Sequence, residues 1–200
     1  FLDHVRMARD VDMVTPAGTM FSYRDLGFTV LGAVVESAGG APFADVVDAR
    51  VFKPLGLTRT TFHQTKDVIP AIVDGARLVE NPPLTVPANG LVTTPNDLGR
   101  IASSLLDPKS PLRARFDEAL TPSSTTALDL DWRTGFGLNQ NSVFAPDVGP
   151  VYWHSGQTLA FTAELVVCPA ANVGVVVMTN TTIEGCNGPF RDEICDAVFG

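Results

Sequence analysis

Lysine is scarce in this 200-residue chain. Only Lys53, Lys66 and Lys109 occur, and 22 acidic residues outnumber 14 basic ones, for a net charge of −8. Lys and Arg form no cluster, which excludes the electrostatic footprint of a nucleic-acid binder. No apolar run reaches the roughly 18 residues of a membrane span, although mean hydropathy is +0.17. No opening stretch reads as a signal peptide. The first residue is Phe1 rather than Met, and the expectation is that the true N-terminus lies upstream. Three histidines, His4, His63 and His154, are too scattered to argue a metal site, so no metal or other cofactor is implied. Internal repeats, low-complexity tracts and a clear interdomain linker are all missing.

Cysteine is also sparse. Cys168, Cys186 and Cys195 fit no zinc spacing. Cys186 and Cys195 flank Gly-Pro and a short helical run, a disulfide loop if the compartment is oxidising and two buried thiols if it is not. Asn180-Thr-Thr182 is a glycosylation sequon. Together these favour a secreted protein.

What is present is a core: 45% of residues are hydrophobic, enough for one domain or a large part of one. Residues 1–14 have no clear period and read as loop or short helix. Pro16 and Gly18 break regular structure before Phe21. Leu26, Val30, Leu31 and Val34 then define one helical face, stopped by Gly39-Gly40. Gly27 and Gly32 each cost that helix about 1 kcal/mol against Ala, which predicts close packing against another element. Pro42 starts a second helix with Phe43, Val46, Val47 and Val51 on its apolar face. Residues 63–90 read as a long irregular connection with one short strand near 76–79. Thr94, Pro95 and Asp97 carry the capping signals of a helix whose buried stripe is Leu98, Ile101, Ala102 and Leu105. A further helix is predicted over 111–120. Strands follow, beginning around 132–138 and continuing at 151–156, 161–167 and 173–179, the last two a hairpin across 169–172. Pro189–Phe199 reads as a helix with Phe190, Ile194, Ala197 and Val198 on one side.

One stretch carries a specific resemblance. Pro16-Ala-Gly18, Tyr23-Arg-Asp25 and Gly27-Phe-Thr-Val-Leu-Gly-Ala-Val-Val-Glu36 resemble the penicillin-recognising serine hydrolases. The nearest group is the class C β-lactamases with related esterases, D-aminopeptidases and DD-peptidases. Pro54-Leu-Gly-Leu57 with Thr60-Thr-Phe62, Asn89-Gly-Leu-Val-Thr-Thr-Pro-Asn-Asp-Leu98 and Trp132-Arg-Thr-Gly-Phe-Gly-Leu138 are similar to later features of that family. Asp25 departs from it, standing where the family has Asn.

The resemblance implies an α+β fold, with an antiparallel sheet flanked by helices plus a helical subdomain, incomplete at its N-terminus. Residues 1–200 would form a single domain, with helices and loops to about 130 and the C-terminal strands and helix from about 131. It also implies roles. Tyr23 would take part in proton transfer to and from a nucleophile, helped by a lysine ammonium, and Asp25 would contact substrate and that lysine. His154-Ser155-Gly156 resembles the family's third motif, Lys-Thr-Gly or His-x-Gly. There His154 would offer a polar or cationic group, Ser155 and Gly156 would line the substrate, and the N–H of Gln157 would be an oxyanion donor. Tyr23 and His154 are then expected to face one cleft, and the 63–90 loop to wall it. Without the resemblance, Tyr23 is a residue packing at a helix start, Asp25 a first-turn carboxylate favoured by the helix dipole, and His154 a strand histidine.

The family's nucleophile belongs to Ser-x-x-Lys, and three residues before the lysines stand Arg50, His63 and Leu106. A Gly-x-Ser-x-Gly elbow is also missing. The reading is therefore the later part of a serine hydrolase acting through an acyl-enzyme on an ester, amide or peptide. Its serine would lie upstream, in an N-terminal portion that is the chain's implied partner. His-Ser-Gly favours an esterase, amidase or D-amino-acid peptidase over a penicillinase. The competing reading is a non-catalytic relative that keeps the fold for binding or scaffolding. The strand 173–179 adds one structural expectation. Its nearly continuous apolar run suits a central strand covered on both faces, yet residues 1–200 offer no second neighbour, so its outer edge should be bare.

Overall fold

Side chains along a strand alternate between the two faces of a sheet, and this rule organises the second of the two compact units into which the chain divides. That unit is Pro70–Leu78 with Leu98–Gly200; the first is Phe1–Ile69 with Val79–Asp97. The computed structural model describes residues 2–12, 15–16, 19, 22–63, 65–78, 86–110, 112–121, 133–142, 145–181 and 189–199.

The second unit is built on an antiparallel five-stranded sheet. Its strands are β3 (Arg133–Thr134), β4 (Asn139–Asn141), β5 (Val151–Gln157), β6 (Thr162–Cys168) and β7 (Val173–Thr179), in spatial order β3-β4-β5-β6-β7. On one face, Val151, Trp153, Val166 and Cys168 pack with Ala145, Cys195 and Phe199, the last two from helix α7 (Pro189–Phe199). On the other, Tyr152, Leu165 and Val167 pack with Ala102 of helix α5 (Pro95–Leu106) and Phe116 of helix α6 (Arg113–Leu120). The sheet is thus helix-covered on both faces, the expected α+β arrangement. A short hairpin, β1 (Ala71–Val73) with β2 (Ala76–Leu78), also belongs to this unit. Asp74 and Gly75 both have positive φ, 50° and 77°, the left-handed pair of a tight two-residue hairpin turn.

Among the described residues β7 is the last strand of its sheet, as expected of a strand with no second neighbour in residues 1–200, and its residues are half-buried apart from the exposed Gly174. Its outer edge carries no ladder among those residues. The β1 hairpin meets only the residue past its end, through Ile72 N–H to the Asn180 carbonyl at 2.8 Å. An edge strand lacks the second neighbour that would bury its outer side. Two other expectations are corrected here. In α7 the inward residues are Cys195 and Phe199, while Ala197 and Val198 are exposed. The side chain of Phe190 lies outside the described residues.

The second correction falls in the first unit. Helix α1 (Leu2–Met7) is followed by α2 (Asp25–Gly39), α3 (Phe43–Val47) running into a π-helical turn at Asp48–Phe52, and α4 (Val86–Asn89). The apolar positions of α2 are not its buried face: Leu31 and Val34 remain 56% and 57% exposed, and the buried residues are Thr29 and Gly32. The reason is steric. A Cβ on Gly32 would sit 2.3 Å from the Pro87 side chain, so α4 packs on the glycine side of the helix. The close approach expected of an interior glycine is met at Gly32 and not at Gly27, which faces open space. Gly40, at φ 67°, terminates α2 in the left-handed conformation. Glu36 then accepts the Phe43 N–H at 2.9 Å, supplying the cap that Pro42 lacks. Phe43, Phe52 and Phe62 form the aromatic core beneath.

Ahead of α5, Thr94 Oγ1 accepts the Asp97 N–H at 3.3 Å, as a cap should. The Asp97 carboxylate is buried and accepts the Arg59 N–H at 2.7 Å and the Thr60 hydroxyl at 2.9 Å. It ties the turn after Leu57 to the start of this helix. No single helix among the described residues is long and apolar enough to cross a membrane; α2 and Phe43–Phe52 satisfy length and composition only as a pair bent by 74°.

Candidate active site

In the first unit the loop before α2 ends in extended backbone at Arg24, with φ −151° and ψ 123°, and no side chain caps the helix there. Tyr23, one residue earlier, is 61% exposed. Asp25 is the first residue of α2, and the buried Thr29 hydroxyl donates to its carbonyl at 2.9 Å, fixing that first turn. Tyr23 and Asp25 are thereby brought together. Both influences on the phenol raise its pKa above 10.0: desolvation by burial first, then the Asp25 charge. Tyr23 is consequently protonated at neutral pH.

Asn89 is a neighbour that sequence reasoning did not assign to the site. Its Nδ2 donates to Asp25 Oδ2 at 3.4 Å. Pro87, two residues earlier in α4, is the residue lodged against Gly32. The same glycine that admits α4 therefore delivers the Asn89 amide to Asp25. The signal was the unusual glycine inside a helix, but the partner stands 64 positions away in sequence.

In the second unit His154, Ser155, Gly156 and Gln157 are consecutive on β5 and form its far end. The ladder to β4 stops at Trp153, while the ladder to β6 continues to Gln157. Thr158 closes the following turn, accepting the Phe161 N–H at 3.0 Å through its hydroxyl. Alternation puts His154 and Gly156 on one face and Ser155 on the other, with Trp153. Burial pushes the His154 imidazole below its ordinary 6.5, only partly opposed by a backbone hydrogen bond at Ser155. The shift favours the neutral imidazole. Gly156 and Gln157 are exposed, and the backbone at Gly156 is open, with nothing within 4 Å of a Cβ placed there. Ser155 Oγ donates to Glu164 Oε1 at 2.8 Å.

Cys195 is buried, in one cluster with Cys168. Cys186 lies outside the described residues, and so does any pairing with it. The Asn180 side-chain nitrogen, the atom a sequon would offer, donates to the Pro70 carbonyl at 2.9 Å. Trp132 and Thr182 fall outside the described residues. Among those that are described, no group of three His, Cys, Asp or Glu side chains could hold a metal ion.

Comparison with known proteins places the chain in a family. The family described as Beta-lactamase matches residues 2–191, and the chain belongs to it. Curated relatives include a putative penicillin-binding protein, PbpX, of Bacillus subtilis, 23% identical over 70% of this chain and 39% of its own length. Another is an unguisins hydrolase of Aspergillus campestris, 24% identical over 90% of this chain and 37% of its own length. Two solved structures share the fold. The octameric penicillin-binding protein homologue of Pyrococcus abyssi has a TM-score of 0.77 at 21% identity, with 90% of this chain and 44% of that one covered. A D-stereospecific amidohydrolase from a Streptomyces species has a TM-score of 0.75 at 20% identity, covering 94% and 58%. The chain therefore spans about two-fifths of the length of these curated relatives.

Proposed function

We propose that this chain is the later part of a serine hydrolase that forms an acyl-enzyme on an ester or amide substrate. The observation that carries the proposal is the pairing of Tyr23 with Asp25 at the start of α2, in a chain matched by the family over nearly its whole length. Two named hydrolases among the similar proteins, the unguisins hydrolase and the D-stereospecific amidohydrolase, favour hydrolysis over scaffolding.

In this reading the nucleophile is the serine of a Ser-x-x-Lys in an N-terminal portion of the same protein. Tyr23 relays the proton between that serine and the leaving group. Its phenol, raised by burial and by Asp25, needs a nearby ammonium before it can act as a base, and the motif's lysine supplies one. Asp25, oriented by Asn89, accepts hydrogen bonds from that lysine or from the substrate. At the end of β5 the Gln157 N–H donates to the developing oxyanion, and the open backbone at Gly156 lets the acyl group approach the strand edge. His154, neutral at pH 7, donates or accepts one hydrogen bond without adding charge. The outer edge of β7, which carries no ladder among the described residues, is the place where the N-terminal portion would add a strand.

The test is hydrolysis of a panel of nitrophenyl esters, D-amino-acid amides and a chromogenic β-lactam by the protein with its upstream residues. Turnover of esters or amides, with Tyr23→Phe reducing kcat at least a hundredfold, is the expected outcome. A folded protein with an intact Ser-x-x-Lys that turns over none of them would refute the proposal.

A further inference from the structure

Glu164 lies in the middle of β6, on the sheet face that also carries Val151, Trp153, Val166 and Cys168 and the buried Thr162, and is 2% exposed. A buried carboxylate is costly unless it is hydrogen-bonded. Glu164 stands directly opposite Ser155 in the β5–β6 register and opposite Val177 on β7. Its Oε1 accepts the Ser155 hydroxyl at 2.8 Å. A serine hydroxyl has one proton to give, so while this bond stands Ser155 has none for a ligand. Ser155 is also the only hydroxyl between His154 and Gln157. One rotation about χ1 would carry Oγ from the Glu164 side toward the strand edge, where the β4 ladder has already stopped at Trp153.

We propose that Glu164 is a positioning residue that holds the Ser155 hydroxyl on the reverse face of the sheet. It thereby withholds the one hydroxyl donor of the β5 end from the substrate, and biases the site against substrates with a carboxylate at that edge. The inference rests on the hydrolase reading for its substrate preference, but not for the hydrogen bond that causes it. Glu164 acts through Ser155 and touches no substrate itself. A substrate carboxylate needs donors, and the Ser155 hydroxyl, while it is given to Glu164, is not one of them.

The experiment compares kcat and KM for two nitrophenyl esters of similar length, one with a neutral acyl chain and one ending in a carboxylate. The proteins are wild type, Glu164→Leu, Glu164→Gln and the double variant Glu164→Leu/Ser155→Ala. Glu164→Leu frees the hydroxyl and should lower KM for the carboxylate ester about tenfold relative to the neutral one, the size expected of one hydrogen bond to a charged group. Glu164→Gln still accepts the hydroxyl and should keep the wild-type ratio. The double variant should lose the gain. An equal effect of Glu164→Leu on both esters would mark Glu164 as a purely structural residue and overturn the proposal.

A second readout is independent of turnover. In proton NMR the Ser155 hydroxyl should be a slowly exchanging signal in wild type and Glu164→Gln, absent from Glu164→Leu. Its absence from wild type overturns the proposal. Its presence in a protein that hydrolyses neither ester leaves the positioning role standing and sinks the hydrolase reading instead.

Discussion

Replacing Gly32 by Ala tests the packing that sets up the Tyr23 end of the site. By helix propensity alone the change should stabilise α2 by about 1 kcal/mol. The structure predicts the opposite. The new methyl would lie 2.3 Å and 2.5 Å from two ring carbons of Pro87, and 3.6 Å from the Phe43 ring. A proline ring is not a flexible side-chain end, so α4 must move outward by roughly an ångström or the helix must distort. Overpacking of this kind costs about 1–3 kcal/mol, which outweighs the propensity gain. Gly27, in the same helix, has nothing within 4 Å of its Cβ position. Gly27→Ala should therefore stabilise, by about 0.5–1 kcal/mol. Urea denaturation of both variants with a common m-value gives the comparison directly. Because Asn89 follows Pro87 by two residues, Gly32→Ala should also shift the Asn89 side-chain amide resonances, and Gly27→Ala should not. Equal stabilisation by the two alanines would refute the claimed contact and, with it, the route by which Asn89 reaches Asp25.

Asp97→Ala should destabilise the protein by about 1–3 kcal/mol, since it removes the buried carboxylate that accepts from Arg59 and Thr60 and strands the Arg59 N–H, while the Thr60 hydroxyl keeps Thr93 as a partner; a change below 0.5 kcal/mol (roughly the noise of an ordinary surface substitution) in urea unfolding would contradict this. For His154, the folded pKa is depressed below 6.5, so between the two values the unfolded chain binds more protons. Stability should then rise with pH up to about the unfolded pKa and be lost as pH falls below it, and His154→Gln should flatten that segment of a denaturation-versus-pH curve. Tyr23→Phe, at a side chain that is mostly exposed, should leave the unfolding midpoint within about 0.5 kcal/mol of wild type while abolishing most turnover, which separates a chemical role from a structural one.

The elements with strong local signals were legible in the sequence. The Thr94 cap, the Pro42 start, the Gly39-Gly40 stop and the 169–172 turn each rest on chemistry within four residues, and the structure reproduces them. What was not legible depended on distant partners. Leu31 and Val34 gave α2 an apolar face by period, but Pro87 decided which side is buried. The 63–90 segment was read as nearly structureless because four prolines obscured it. Asp74-Gly75 was the available sign of the β1–β2 hairpin, and α4 had only a four-residue span in which to show a period. Glu164 looked like an ordinary polar residue on a strand until the β5–β6 register set it against Ser155. In the same way His154-Ser-Gly156 could be found as a motif, while the face each side chain takes came only from the sheet.

The most direct test of the hydrolase account is mass spectrometry of the protein with its upstream residues after incubation with a fluorophosphonate. The account predicts a single stoichiometric adduct on the serine of a Ser-x-x-Lys upstream of Phe1, slowed at least tenfold by Tyr23→Phe. An adduct on Ser155, or none on a folded protein that contains the motif, would contradict it.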